Sequence, residues 1–251
     1  MKYIIGGIGD FLQCVDDAQK EQAIKVYSHF LGAKSFFEGV GVKIDFSYFK
    51  DLSFLKEVLP LHHEHLVRSS QVQRRAFQGF SIPEKSLEFA SKNANNKASI
   101  IGLHPVGSKF SNNIYSSAGV PLKIIPPQIL KKIINKDNYY FIFGSKEELV
   151  EYKREIQTNN VQWIDYEDIW DSLAHVAFCR KVITVDSSIK TMASVKKIPS
   201  IVFAGNFRDD IRDAYFLNPY VDAGVMKVFK FNDIVKQENE IINFITLDEK
   251  K

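Results

Sequence analysis

The chain has 251 residues, 45% hydrophobic and 25% charged, which fits a globular protein of one large domain or two compact ones. The longest apolar runs, such as 198–204, are well short of the roughly 20 residues of a membrane span, so no spanning segment is expected. The net charge of +3 comes from interspersed acids and bases, which permits a polyanionic partner without requiring one.

The opening Met1-Lys2-Tyr3-Ile4-Ile5-Gly6 goes straight into a strand-and-glycine pattern, without the apolar stretch of a secretory leader. A cytoplasmic location is expected. Cys14 and Cys179, far apart in apolar surroundings, read as buried thiols in a reducing compartment. Residues 3–5 predict a strand, followed by Gly6-Gly7-Ile8-Gly9-Asp10 and a helix over about 11–21. Further strands are predicted at 23–27 and 42–46. The polar, turn-rich run 91–97 marks the linker between an N-terminal unit, residues 1–97, and a C-terminal unit, residues 98–231. In the second unit, strands at 99–104, 139–143, 161–164, 181–185 and 200–203 alternate with helices at 127–135, 146–158, 169–178 and 189–195. That alternation predicts a parallel sheet covered on both faces. Asp168 and the Asp186-Ser187-Ser188 cluster are N-cap signals for two of these helices. Residues 232–251 carry a last amphipathic helix, at about 232–245, expected to pack back on the N-terminal unit.

Four turns combine glycine or hydroxyl residues with the end of a predicted strand. Gly6-Gly7-Ile8-Gly9-Asp10 allows close backbone approach to a ligand, or is a tight turn with Asp10 as a helix cap. It is not a dinucleotide fingerprint, because Leu12 stands where the third glycine belongs and no acid follows the second strand. His104-Pro105-Val106-Gly107-Ser108-Lys109 places a Gly-Ser pair where parallel sheets bind oxyanions. In Phe143-Gly144-Ser145-Lys146-Glu147-Glu148 the acids suit a helix dipole as readily as a ligand. Asp186-Ser187-Ser188-Ile189-Lys190-Thr191 gathers hydroxyls, backbone N–H groups and a lysine at a helix N-terminus, the chemistry of a phosphate site. Three such turns on one parallel sheet point to a common ligand edge. The His62-His63-Glu64-His65 run lacks the His-Glu-x-x-His spacing, and no metal site is assigned to it. Arg68, Arg74 and Arg75, with Phe77 and Phe80, form a basic-aromatic patch that is either a solvated face or a contact for an anionic acceptor.

Together these segments resemble glycosyltransferase family 9, the heptosyltransferase-like enzymes, most strongly over residues 99–205. The resemblance implies a GT-B-like α/β fold, two Rossmann-like domains whose parallel sheets face each other across a cleft. It also implies a nucleotide-diphosphate sugar as donor substrate, with no bound cofactor or metal, and an inverting transfer. Gly9-Asp10 matches the family's Gly-Asp, which makes Asp10 the implied catalytic base. Pro105-Val106-Gly107-Ser108 is similar to its Pro-Gly-Ser turn, and Lys123-Ile124-Ile125-Pro126 to its Lys-x-x-Pro, whose lysine faces the donor phosphates. Gly144, Ser145, Glu147 and Glu148 are implied beside the nucleoside. Asp186, Ser187, Ser188, Lys190 and Thr191 fall in the donor-phosphate motif. The family pattern there is Asp-Thr-Gly-x-x-His, so Ser188 replaces the glycine and Thr191 the histidine, with Lys190 one residue earlier as the substitute cation. The N-terminal, acceptor-side unit is also shorter than is usual in the family. A compact, mildly basic transferase is similar to phage enzymes that glycosylate hydroxymethylated DNA bases, so the expected acceptor is DNA, held by Arg68, Arg74 and Arg75, or a saccharide, with a protein or small molecule as the remaining alternatives. A nucleotide-binding module without transfer activity is the alternative, followed by an NAD-dependent oxidoreductase.

Overall fold

The computed structural model describes residues 1–50, 52–66, 81–107, 123–204, 224–230 and 233–246. Among them the strands form two parallel sheets. The first has the order β1-β2-β3, with β1 at Lys2–Ile5, β2 at Ile24–Ser28 and β3 at Asp45–Tyr48. His65 forms an isolated parallel bridge to Tyr3 on the edge of β1 away from β2.

The second sheet has the order β6-β5-β4-β7-β8-β9. Its strands are β4 (Ile100–His104), β5 (Tyr139–Phe143), β6 (Val161–Ile164), β7 (Lys181–Val185), β8 (Ser200–Ala204) and β9 (Met226–Lys230). In order of appearance this is 3-2-1-4-5-6, the doubly wound arrangement. β4, β7 and most of β5 and β8 are buried on both faces, which is why they read as continuous apolar, β-branched runs. β9 is a half-exposed edge carrying Lys227 and Lys230, and that weak pattern hid it from sequence reading.

The helices are α1 (Ile8–Ala18), α2 (Ala33–Gly39), α3 (Leu55–Val58), α4 (Glu84–Ala94), α5 (Pro127–Ile133), α6 (Val150–Glu155), α7 (Ile169–Val176), α8 (Ser188–Val195) and α9 (Glu238–Thr246). Asp168 caps α7 as expected, its carboxylate accepting the Trp170 N–H at 2.8 Å. Three expectations change. The strand predicted at 42–46 begins only at Asp45. Gly41, with φ of 75°, ends α2, and the Val42 N–H returns to the Phe37 carbonyl at 2.9 Å, so Val42 closes a helix instead of extending a strand. The run 91–97 is helical as far as Ala94, because α4 is a polar helix that buries only Ser86 and Ala90. Among the described residues, the last helix packs on the second unit. Ile241 and Ile245 bury in the core beneath α5, and Arg180 and Lys181 donate to the Ile245 and Phe244 carbonyls at its C-terminus.

One hydrophobic core runs through both sheets. It contains Ile4, Phe11, Val15, Val26, Phe36 and Phe37 from the first unit and Trp170, Leu173, Val182, Ile189 and Met192 from the second. Trp170 stacks on Phe36 at 4.7 Å, and its indole N–H donates to the Phe36 carbonyl at 2.9 Å. Cys14 and Cys179 are both buried free thiols in this core.

Candidate active site

In a doubly wound sheet, ligands bind beyond the carboxyl ends of the two strands where the order reverses, here β4 and β7. After β4 the chain reaches Val106, which pairs antiparallel with Ile124. The Gly107 N–H donates to the Lys123 carbonyl at 2.7 Å. A Cβ at Gly107 would stand 2.8 Å from that of Lys123, so only glycine lets the lysine backbone come this close. Lys123 is buried, and its Nζ lies 3.1 Å from Asp186 Oδ2 and 3.2 Å from the Asp186 carbonyl. Lys190, one helical turn beyond Asp186, places its buried Nζ 2.6 Å from Asp186 Oδ1. Burial by itself raises the Asp186 carboxyl, but Lys190 and Lys123 outweigh it and hold the group well below the usual carboxylate range. Lys190 therefore serves as a partner of Asp186, and the trio carries one net positive charge.

Ser187 stands at the N-cap of α8, but its side chain does not cap the helix. The hydroxyl turns instead to His104 Nδ1 at 2.8 Å and Thr184 Oγ1 at 3.1 Å. The first-turn N–H groups of α8, Ser188 among them, thus have no side-chain cap from their own N-cap residue, an arrangement suited to an anionic ligand. Thr191 is buried one turn further on, with its hydroxyl donating to the Ser187 carbonyl at 3.4 Å.

Asp10 approaches from the other sheet. Gly7 is the N-cap of α1, and Asp10 sits at the third helical position rather than at the cap. Its Oδ2 accepts the Gly7 N–H at 2.9 Å, while its own N–H returns to the Gly7 carbonyl at 3.0 Å. Gly6 has φ of 152°, and a Cβ there would overlap the Asp10 carboxylate. The glycines of this turn therefore make room for the acid. Desolvation raises the Asp10 carboxyl from its ordinary value, opposed by the Gly7 hydrogen bond and the charges of His65 and Lys190. Gly9 faces the start of α8, with its Cβ position 3.8 Å from Ser188 N and Thr191 Oγ1. The N-termini of α1 and α8 thus meet, and the carboxyl ends of β1 and β7 share one locality.

The remaining predicted residues lie elsewhere. Gly144 follows β5, next to β4 in the sheet. Ser145 and Glu148 cap each other: the Ser145 N–H donates to Glu148 Oε2 at 2.8 Å and the Glu148 N–H to Ser145 Oγ at 3.2 Å. Glu147 is exposed beside them. Ser108, Arg68, Arg74 and Arg75 lie outside the described residues. Sequence reasoning missed three contributors. His104 was visible as the last residue of β4, yet nothing in the spacing signalled its bond to Ser187 across 83 positions. Thr184 was hidden inside an apolar strand. His65 is buried with its Nε2 2.7 Å from the Ile5 N, a contact 60 positions apart.

Two parallel α/β sheets whose carboxyl edges are brought together by α1 and α8 form a GT-B-like architecture. The structure is similar to that of ADP-heptose LPS heptosyltransferase II of E. coli, with a TM-score of 0.58 and 13% identity over 98% of each chain. It is also similar to a glycosyl transferase family 9 protein from Veillonella parvula DSM 2008, with a TM-score of 0.56 and 12% identity over 96% of this chain and 95% of that one. No family model and no curated protein matches the sequence.

Proposed function

We propose that this chain is a glycosyltransferase that moves a sugar from a nucleotide-diphosphate sugar to a hydroxyl of a saccharide acceptor, with inversion and without a bound metal. One observation carries the reading: a buried lysine and an uncapped helix N-terminus at the β4–β7 switch point stand across the Gly9–Ser188 contact from the Asp10 carboxylate. The fold shared with a heptosyltransferase and a family 9 glycosyl transferase supports it.

In this mechanism Asp10 takes the proton of the acceptor hydroxyl, and desolvation, by raising its pKa, makes the carboxylate a stronger base. The acceptor oxygen attacks the anomeric carbon, and the bond from that carbon to the diphosphate oxygen breaks. The departing diphosphate takes the electron pair, and Lys123 with the first turn of α8, at Ser187 and Ser188, stabilises the developing charge. A single in-line displacement inverts the anomeric centre. Gly144 and Glu147, after the neighbouring β5, lie on the side proposed for the nucleoside. Nothing in the described residues favours a hydroxymethylated DNA base over a saccharide, since the three arginines fall outside them.

A thermal-shift panel of nucleoside diphosphates and nucleotide sugars, with NAD as control, tests the reading. A ligand at 100 times its Kd stabilises the fold by about 2.7 kcal/mol, so a donor gives a selective, concentration-dependent rise in Tm. No shift with any diphosphate on folded protein removes the proposal. Donor binding without turnover on any acceptor leaves a nucleotide-binding module.

A further inference from the structure

One placement of protons satisfies all the hydrogen bonds around His104 at once. Thr184 has one hydroxyl proton, and its Oγ1 donates to the Val185 carbonyl at 2.7 Å. The 3.1 Å contact between Thr184 Oγ1 and Ser187 Oγ therefore takes its proton from Ser187. With that proton used, the 2.8 Å contact between Ser187 Oγ and His104 Nδ1 takes its proton from the ring. In that placement Nδ1 is the protonated nitrogen, and in the neutral ring Nε2 carries a lone pair. Burial lowers the ring to about 4, so it is neutral under physiological conditions. Only 8% of the residue is exposed, and Nε2 has no hydrogen-bond partner among the described residues.

This acceptor sits at the carboxyl end of β4, the same edge as Lys123 and α8. A lone pair repels phosphate oxygens and attracts a donor hydrogen. We propose that His104 is a recognition residue for the donor substrate, its Nε2 accepting a hydrogen bond from a hydroxyl of the nucleotide sugar while Lys123 and α8 take the diphosphate. The inference rests on the glycosyltransferase reading. Ser187 and Thr184 are positioning residues in it: they hold the ring in the tautomer that presents an acceptor. The hydroxyl belongs to the ribose or to the transferred sugar, and the test separates the two.

The first measurement is NMR of protein labelled with 15N-histidine, which reports the tautomer without any ligand. Nε2 of His104 is expected unprotonated at neutral pH, and a proton found on Nε2 overturns the proposal. The second is calorimetric titration of ADP and ADP-glucose, UDP and UDP-glucose, and GDP and GDP-mannose, with pyrophosphate as control. His104→Asn keeps an N–H for Ser187 but lacks the distal acceptor, whereas His104→Gln carries an amide oxygen that reaches the Nε2 position. The Asn variant is expected to bind the recognised ligand about tenfold more weakly and pyrophosphate unchanged, with the Gln variant restoring most of the loss. Weakening with both the diphosphate and its sugar points to the ribose, and weakening with the sugar alone to the transferred group. Equal affinity of the Asn variant and wild type overturns the proposal. If wild type binds none of the pairs, the glycosyltransferase reading falls instead, and the NMR result still decides the tautomer.

Discussion

Asp10 and Asp186 occupy comparable places at a strand-to-helix junction, one on each sheet: Asp186 in the turn between β7 and α8, Asp10 in the first turn of α1. Their surroundings differ in kind. Asp186 has a buried ammonium group on each carboxylate oxygen and is held ionised. Asp10 has a single backbone N–H at bonding distance, and desolvation outweighs the more distant charges around it. Two identical side chains are thereby driven in opposite directions, the pattern by which a site separates a proton acceptor from a fixed charge. In this comparison Asp186 organises the cations and Asp10 is left to exchange a proton.

The sharpest way to break the comparison is Asp10→Asn. It is expected to lower kcat by about 10²–10⁴-fold while leaving donor affinity near that of wild type. Its effect on stability has a definite sign. A carboxyl with a raised folded pKa contributes its stability fully below the unfolded value, and loses it as pH rises through the folded one. At neutral pH the Asn variant should therefore melt at or above the wild-type temperature. A variant that loses activity together with stability would mean that Asp10 is structural.

Asp186→Ala tests the other half. It leaves two buried ammonium groups without their shared counter-ion, and the expected loss is about 3–5 kcal/mol in urea denaturation. The depressed folded pKa means that the Asp186 contribution is present above the unfolded value and is lost only as pH falls through the folded one. Wild type should keep this contribution into strongly acidic buffer, and a second change, Lys190→Met, should recover part of the variant's loss. Full stability in the single variant would show the lysines to be held by something other than Asp186.

The smallest expected effect concerns the seam that brings the two aspartates to one place. Trp170→Phe keeps the ring contact with Phe36 but removes the N–H donated to its carbonyl, at a cost of about 1–3 kcal/mol. Because one core spans both sheets, unfolding should remain a single transition. Two separate transitions would show that the units are joined more loosely than the shared core implies.

How much could be read from the sequence differed between the halves. In the second sheet, runs such as Lys181-Val182-Ile183-Thr184-Val185 are buried on both faces, so hydropathy alone outlines strand after strand. The first unit gave weaker signals, because β3 is half-exposed along its length and α4 fully buries only Ser86 and Ala90. The site divides in the same way. Asp186 and Ser187 were legible as residues at the end of a strand, where an α/β sheet binds its ligands, and Lys123 only through the Lys-x-x-Pro resemblance. The mutual cap of Ser145 and Glu148 was legible too, as a local Ser-x-x-Glu pattern.

By itself, then, the sequence determined the parallel α/β class, the strands of the second sheet and the turns from which a ligand site can be built, because these follow from local periodicity and from short-range capping chemistry. Tertiary structure alone decided that Lys123 reaches Asp186, that Ser187 leaves its own helix uncapped to meet His104, and that Asp10 stands across from α8. It also decided that the last helix stays with the second sheet. Each of these depends on groups close in space but up to 106 positions apart in the chain, as for Lys132 and Glu238, and no pattern in a window of sequence records such a distance.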